Sequence, residues 1–359
     1  MASAHRIIRV NAPLFYPHET APATGSTLTV APGVEWLCMP LPFALNHINL
    51  WLLADGDGYV AVDTGIALDE VKAAWKSTLT GRHLNRCIVT HFHPDHLGLA
   101  GWLEQETGAR LWMSQGEYLT AHMIAEAVGS YTVAAMLTFF RRHGLDETSI
   151  AALATRGNAY RRGVPIIPAS YQRLFADQQI QIGAHAWRTI VGYGHAPEHM
   201  SLYCAELKLL ISGDMLLPRI STNISVLAAT PLDNPLKQFL DSIDALRTLP
   251  EDTLVLPSHG RPFRGLHARV AQLEAHHAER CEVLLAACAT RPHTAAELIG
   301  TLFGREIPDP HQTMFAMGEA IAHLNYLQNN GRMRRIEENG VIRHIASASR
   351  TAHVNNVTP

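Results

Sequence analysis

The chain has 359 residues and a nearly balanced charge, with 29 basic and 32 acidic side chains and a formal net charge of −3. This balance gives no basic field for nucleic acid or for an anionic membrane surface, so neither is expected as a partner. The sequence has no run of about 18 apolar residues, and its amino terminus, MASAHRIIRV, lacks the apolar core of a signal peptide. We therefore expect a cytoplasmic protein without a membrane span.

The amino-terminal third predicts a β-rich unit. The first 25 residues contain several prolines and are expected to be irregular. Two apolar runs, 48–53 and 59–63, predict neighbouring strands, and the second ends at Asp63-Thr64-Gly65. A helix is expected over 68–79, followed by a strand that ends with Cys87-Ile88-Val89. The five cysteines are scattered and odd in number, which indicates no disulfide framework.

The segment directly after that strand, THFHPDH, carries three imidazoles and a carboxylate within six residues. Residues two apart on an extended segment share a side, so His91 and His93 should face the same way. Asp95 and His96 follow on a turn into a helix, which Asp95 is expected to cap. Such groups are ligands for divalent zinc, iron or manganese, and four of them can serve two ions. The alternative is a solvated loop in a histidine-rich chain.

Three further candidate ligands stand alone at the ends of predicted strands. His195 follows the apolar pattern of 186–191, Asp214 ends LLISGD, and His259 ends LVLPSH. Each alone has an ordinary structural explanation, a satisfied histidine or a turn aspartate. Their recurrence after the clustered motif favours loops that meet at one rim of a pair of sheets. His199 competes with His195, and we favour His195 because it follows Gly194.

These residues together resemble the metallo-β-lactamase-fold hydrolase superfamily, in its branch with the His-x-His-x-Asp-His motif. The resemblance runs from about residue 27 to about residue 264 and implies an α/β fold, an αββα sandwich with two metal ions at one edge of its sheets. The residues that it assigns to one metal are His91, His93 and His195. The residues that it assigns to the other metal are Asp95, His96 and His259, with Asp214 bridging the two.

The resemblance implies a hydrolase in which a metal-bound hydroxide is the nucleophile. Two divalent ions about 3.5–4 Å apart can share a water and lower its pKa toward about 7. Zinc is the expected metal, with iron or manganese as alternatives, and Asp95 or Asp214 could relay a proton to the leaving group. Asp63 would orient a ligand imidazole, or else serve as a turn residue before Thr64. We expect the substrate to be a small acyl compound, meaning a thioester, a lactone or an ester.

Four residues are candidates to hold that substrate. Arg219, Ser221 and Asn223 lie on the polar loop that follows Asp214, although this loop could equally be a plain connection. His47 enters the first predicted sheet and could approach the metals from the opposite wall, or could be a satisfied structural histidine.

A helical pattern over about 115–165 is longer than a sandwich requires, and its stretch 125–140 is rich in alanine, methionine and aromatic residues. It predicts either helices that pack on the sheets or a cap that covers the metals and forms the substrate pocket. We favour the cap because long insertions in compact domains tend to be functional.

The sequence predicts a catalytic domain over 1–264, a smaller domain over 265–346 and a disordered tail over 347–359. The smaller domain should contain helices over 268–288 and 313–329, a capping box from Thr294 to Glu297, and two strands near 331 and 340. It resembles the winged-helix-like carboxy-terminal domain of one branch of the superfamily. Some such relatives cut RNA, so a nucleic-acid-processing phosphodiesterase is the alternative function. The segment lacks a basic run, which favours packing or homodimer formation instead.

Overall fold

The computed structural model describes residues 13–43 and 45–347. The tail that we predict to be disordered lies outside these residues, apart from Ser347. Within them, two β-sheets face each other and helices cover both outer faces. The expected αββα sandwich is therefore confirmed.

The first sheet has seven strands, and their order across the sheet follows the chain. The strands are β1 (Thr27–Ala31), β2 (Val34–Pro40), β3 (His47–Asp55), β4 (Gly58–Val62), β5 (Leu84–Ile88), β6 (Arg110–Ser114) and β7 (Gln172–Leu174). Pairing is antiparallel from β1 to β4 and parallel from β4 to β7.

The second sheet has five strands in the order β12-β11-β10-β9-β8. The strands are β8 (Gln179–Ile182), β9 (His185–Gly192), β10 (His199–Cys204), β11 (Leu209–Gly213) and β12 (Leu254–Pro257). Only the β11–β12 pair of this sheet is parallel.

The core between the sheets is built around tryptophans. Trp36 and Trp51 stack with ring centroids 6.1 Å apart, and Trp187 of the second sheet packs in the same buried cluster. The alternate positions Leu50 and Leu52 point to the other side of β3, where they pack under helices. Because both faces of β3 are buried, the residues of its centre, Leu50–Leu53, are all apolar rather than alternating with polar ones.

Eleven α-helices form within the described residues. They are α1 (Asp69–Thr78), α2 (Pro94–Leu97), α3 (Ala100–Thr107), α4 (Gln115–Ala125), α5 (Val133–Arg142), α6 (Glu147–Arg156), α7 (Tyr160–Gly163), α8 (Pro235–Ala245), α9 (Leu266–Ala287), α10 (Ala295–Phe303) and α11 (Pro310–Asn329). The helical insertion expected over about 115–165 thus consists of α4 to α7. In the described part of the chain, no helix combines the length and apolar character needed to cross a bilayer.

The carboxy-terminal region consists of α9, α10 and α11 and a hairpin of β13 (Met333–Glu338) and β14 (Val341–Ala346). The expected capping box between Thr294 and Glu297 forms at the start of α10. The order of three helices and a hairpin agrees with the winged-helix interpretation, which stays a prediction. Residues of this region, such as Leu284 and Ile321, share one buried core with Val255 of the second sheet.

The strand directions bring several strand ends together at one edge of the sandwich. Parallel neighbours end at the same edge, and this holds for β4 with β5 and for β11 with β12. The antiparallel strand β3 begins at the edge where β4 ends. The loops that carry the candidate ligands leave from these strand ends.

Candidate metal centre

Three imidazoles meet beyond the ends of β5 and β9. His91 and His93 follow β5 on one segment, and His195 lies in the connection from β9 to β10. The Nε2 atom of His91 is 2.8 Å from Nδ1 of His93 and 3.1 Å from Nε2 of His195. We call these residues the first cluster. The structure brings together the three residues that the resemblance assigns to one metal.

The second cluster contains Asp95, His96 and His259. The Oδ2 atom of Asp95 is 3.6 Å from Nε2 of His96 and 3.4 Å from Nε2 of His259. The expectation that Asp95 caps the following helix is wrong, because α2 begins at Pro94 and His93 occupies the N-cap position. Asp95 lies inside the first turn, and its carboxylate faces the cluster instead of the helix backbone.

Asp214 joins the two clusters. Its Oδ2 atom lies 3.6 Å from Nε2 of His195, and its Oδ1 atom lies 3.7 Å from Nε2 of His96 and 3.5 Å from Nε2 of His259. One carboxylate oxygen therefore faces each cluster. This is the geometry that the bridging role of Asp214 requires.

The donor atoms fit divalent cations. The donor atoms of each cluster lie within 4.8 Å of one another, as do those of His91, His96 and Asp214. Among the described residues, Nε2 of His96 and Oδ1 of Asp214 are buried and have no hydrogen-bond partner. Buried polar atoms without a partner are rare in folded proteins, and a cation between them would satisfy both. Imidazole and carboxylate donors of this kind suit zinc, iron or manganese.

The ionisation of His91, His93, Asp95 and Asp214 favours metal binding. Against the effect of burial, the neighbouring carboxylates raise the pKa of His96 and His259, and each of these rings must lose a proton when it binds a metal. Burial lowers the pKa of His93 to about 3 and that of His91 well below its usual range, so both imidazoles keep their lone pairs. Although burial opposes ionisation of Asp95, nearby His96 and His259 lower its pKa to about 2. The pKa of Asp214 is likewise held well below its usual range, against the effect of burial, by His259 and His96. Both carboxylates are therefore in the charged form that binds a metal.

Backbone carbonyls orient one imidazole of each cluster. Nδ1 of His195 donates to the carbonyl oxygen of Asn223 at 2.7 Å, and Nδ1 of His259 donates to the carbonyl oxygen of His47 at 2.9 Å. A carbonyl oxygen only accepts hydrogen bonds, so Nδ1 must carry the proton in both rings. In the neutral ring, Nε2 is then left as a donor atom that faces its cluster.

Asp63 forms hydrogen bonds to the segment that carries the candidate ligands His91 and His96. Its Oδ2 atom is 2.8 Å from Nδ1 of His96, and its Oδ1 atom accepts from the backbone N–H of Thr90 at 2.8 Å. The Thr90 hydroxyl also lies 3.0 Å from Nδ1 of His91. Asp63 adopts a left-handed backbone with φ of +63°, a conformation that few non-glycine residues take. The structure thus places Asp63 against a candidate ligand, the role that the resemblance implies.

His199 lies behind the site rather than within a cluster. Its Nε2 atom accepts a hydrogen bond from the backbone N–H of Asp214 at 3.1 Å. A Cβ atom at Gly213 would lie 2.3 Å from the same nitrogen, so only glycine allows this approach. Of the two competing histidines, the structure brings His195 into the first cluster and uses His199 to hold the bridging carboxylate's backbone.

The four predicted substrate residues fall in different settings. Arg219 is exposed and Ser221 is half-buried on the loop after Asp214. The amide of Asn223 is engaged with Glu319 and Ser225, which places its side chain in the protein framework. His47 accepts from the backbone N–H of Gly260 at 3.2 Å, which matches the structural alternative considered for it.

Sequence reasoning missed Glu117 and Tyr160, both in the helical insertion. The buried Glu117 carboxylate accepts from the backbone N–H of Phe92 at 2.9 Å and from that of Glu198 at 2.6 Å. The Tyr160 hydroxyl donates to the carbonyl oxygen of Phe92 at 2.7 Å. Phe92 lies between His91 and His93, so the insertion braces the loop of the first cluster. The sequence signal for Glu117 is its position, because it is a polar residue shortly after β6, and β6 ends at the same sheet edge as β5.

The family is evident from comparison with known proteins. The model of the metallo-beta-lactamase superfamily matches residues 45–259, which is more than half of the chain. The chain belongs to the metallo-β-lactamase superfamily. The model of the metallo-beta-lactamase-like C-terminal domain matches residues 281–347.

Relatives of this superfamily member share most of its length. A β-lactamase domain protein from Burkholderia ambifaria is 44% identical, with a TM-score of 0.86 over 93% of this chain and 98% of that one. “Probable metallo-hydrolase YqjP” of Bacillus subtilis is 23% identical over 81% of this chain and 90% of its own length. A hydroxyacylglutathione hydrolase of Albidiferax ferrireducens is 25% identical over 62% of this chain and 65% of its own length. These similarities support a metal-dependent hydrolase.

Proposed function

We propose that this chain is a di-metal hydrolase that cleaves the acyl bond of a small thioester, lactone or ester. The observation that carries the proposal is the pair of clusters joined by the two oxygens of Asp214. Two divalent ions held there would supply an activated water and polarise the carbonyl oxygen under attack. The donors are five imidazoles and two carboxylates, a set that suits zinc and also accepts iron or manganese.

The chain's own residues divide the remaining work. Asp214 holds the two metal positions together, and burial of its side chain to 11% exposure keeps bulk water away from it. The Asp95 side chain retains 21% exposure, so one of its carboxylate oxygens could take the proton that the attacking water loses and pass it to the leaving group. The described residues offer no competing thiol nucleophile, because all five cysteines are buried and burial raises the pKa of Cys38 to about 11.

A small acyl substrate is favoured over nucleic acid by the surface of the protein. Three of the four arginines in and just before the carboxy-terminal hairpin form ion pairs. Arg332 pairs with Glu282, Arg335 pairs with Glu337, and Arg343 pairs with Glu297. Phe43 and Phe315 are 45% and 37% exposed, and the ring of His311 lies 5.4 Å from Phe43 and 4.9 Å from Phe315. These side chains offer apolar surface to an acyl group. The similarity to a hydroxyacylglutathione hydrolase, a thioesterase by name, supports a thioester.

A substrate panel on the metal-loaded protein tests this proposal. The protein is stripped with a chelator, reconstituted with zinc, iron or manganese, and assayed with thioesters, lactones, carboxylic esters, phosphodiesters and RNA. We expect two metal ions per chain and turnover of an acyl compound. Full activity after metal removal would contradict the metal chemistry, and turnover confined to phosphodiesters or RNA would favour the nucleic-acid alternative.

A further inference from the structure

Helix α11 of the carboxy-terminal region lies against the loop that follows Asp214. The Glu319 carboxylate accepts from the side-chain amide of Asn223 at 3.1 Å, and the carbonyl of Gly318 accepts from the backbone N–H of Val226 at 3.2 Å. A Cβ atom at position 318 would lie 2.5 Å from the hydroxyl oxygen of Ser225, so this glycine permits the close packing. The Asn223 amide also donates to the carbonyl oxygen of Phe315 at 3.5 Å, so this part of the loop is attached to α11 by three hydrogen bonds and by direct contact.

The same loop contacts the first cluster and Asp214 from its other side. The backbone carbonyl of Asn223 accepts from Nδ1 of His195 at 2.7 Å, which sets the ring of a first-cluster residue. The hydroxyl of Thr222 donates to the backbone carbonyl of Asp214, the residue between the clusters. A shift of this loop by a few tenths of an ångström would move the Nε2 atom of His195.

Asn223 links these two sides of the loop. Its side-chain oxygen accepts from the Ser225 hydroxyl at 2.7 Å, and its NH₂ group donates to the Glu319 carboxylate. Glu319 is only 7% exposed, and burial raises its pKa to about 7. Burying a carboxylate costs free energy unless hydrogen bonds compensate for the lost water. The Asn223 amide supplies such a bond.

We propose that Glu319 is a positioning residue that fixes His195 through Asn223, so that the carboxy-terminal region completes the first cluster. This inference rests on the metal site proposed above. Groups that orient metal-bound imidazoles typically change metal affinity about 10–100-fold when they are removed. Glu319 acts on His195 through Asn223 rather than directly, so we expect its removal to lower metal affinity about tenfold.

The test uses variants of the full chain and the binding of Co²⁺ to the metal-free protein. E319A removes the acceptor, whereas E319Q keeps a side-chain oxygen that can accept from Asn223. N325A is the matched control, because Asn325 also reaches from α11 to a loop of the sandwich. That residue donates to the carbonyl oxygens of Pro231 and Asp233, and this part of the loop carries no candidate ligand.

Co²⁺ absorption reports ligand geometry without requiring a substrate. We expect E319A to weaken one of two Co²⁺ binding steps about tenfold and to change its visible spectrum, as H195A should do more strongly. E319Q and N325A should match the wild type. N223A removes the same hydrogen bond from the loop side, together with those to Ser225 and Phe315, so it should lose at least as much as E319A, and the double variant should lose no more than N223A. N223A also serves as the test if E319A does not fold.

Three results would overturn the inference. These are wild-type Co²⁺ binding and spectrum in folded E319A or N223A, an equal loss in N325A, or an equal loss in E319Q. The proposed metal site is tested separately, by the binding of Co²⁺ to the wild-type protein. If the wild-type protein binds no Co²⁺, the metal site itself is wrong, and this inference falls with it.

Discussion

The two clusters lie side by side but are held in place by different parts of the molecule. In the second cluster, the other ring nitrogens of His96 and His259 meet Asp63 and the carbonyl of His47, all within the sandwich. The first cluster depends on accessory regions. Its loop is braced by Glu117 of the helical insertion, and the carbonyl that orients His195 belongs to a loop attached to α11.

This difference suggests how substrate specificity can vary while the chemistry stays the same. The second cluster needs only the strand ends that define the fold. The first cluster is coupled to the helical insertion and the carboxy-terminal region. The latter also supplies the exposed side chain of Phe315, whose backbone carbonyl lies 3.5 Å from the Asn223 amide. Changes in the accessory regions should therefore act on the first cluster before the second.

The largest effect is expected from D214A, which removes the carboxylate shared by both clusters. Metal charge stabilisation is worth several kcal/mol, so turnover should fall by at least about 10³-fold while the fold stays intact. Metal analysis, activity and circular dichroism would check this. If D214A kept two bound metals and full turnover, the two clusters would not depend on Asp214.

D63A should weaken the second cluster more than the first, because Asp63 contacts His96 directly but reaches His91 only through Thr90. Without the Asp63 carboxylate, Nδ1 of His96 loses the partner that orients its ring, and affinity for one metal should fall about 10–100-fold. Stepwise Co²⁺ titration would measure the change. The step that H195A weakens should change less, and equal weakening of both steps would contradict the separation of the clusters.

Glu117 should affect stability and the first cluster together. E117L leaves the buried N–H group of Phe92 without its acceptor, at about 1–3 kcal/mol, and removes the acceptor of the partly buried Glu198 N–H group as well. Urea unfolding should show this loss, and E117Q, which keeps one acceptor oxygen, should lose less. The control E126Q, at the exposed end of the same helix, should be neutral. If E117L were as stable as the wild type, the hydrogen bonds of Glu117 would make no contribution to the free energy of unfolding.

The smallest effect concerns acid stability where the insertion meets the carboxy-terminal hairpin. His143 and His344 are stacked there, and burial lowers their pKa values to about 3 and about 4. Below about pH 6.5 the unfolded chain binds protons that the folded chain does not, so stability is present above that pH and is lost as pH falls toward 4. H344F should reduce this slope, measured by urea unfolding at several pH values. An unchanged slope would exclude a contribution from His344.

The candidate ligands could be predicted because their signals are local. His91, His93, Asp95 and His96 lie within six residues, and the other ligands follow short apolar runs that end at one edge of the sheets. Parallel pairing then brings those strand ends together. The fold class follows from the same runs, because strands buried on both faces read as continuous apolar segments.

The supporting residues could not be predicted because their partners are remote in sequence. Glu319 meets Asn223 across 96 positions, and Glu117 meets Glu198 across 81. Neither spacing nor periodicity encodes such contacts. Asn223 was predicted to face the substrate because its loop follows Asp214, but its amide is held by α11. The helix-capping role of Asp95 was wrong because Pro94 begins the helix one residue earlier.

The buried core shared by the sandwich and the carboxy-terminal helices has a consequence for protein engineering. Leu284 and Ile321 pack in the same cluster as Val255, so a chain cut near residue 264 would expose a large apolar surface to water. A minimal version of this protein cannot be made by deleting the residues that follow position 264. Any shortened design must first replace that lost covering with new polar surface.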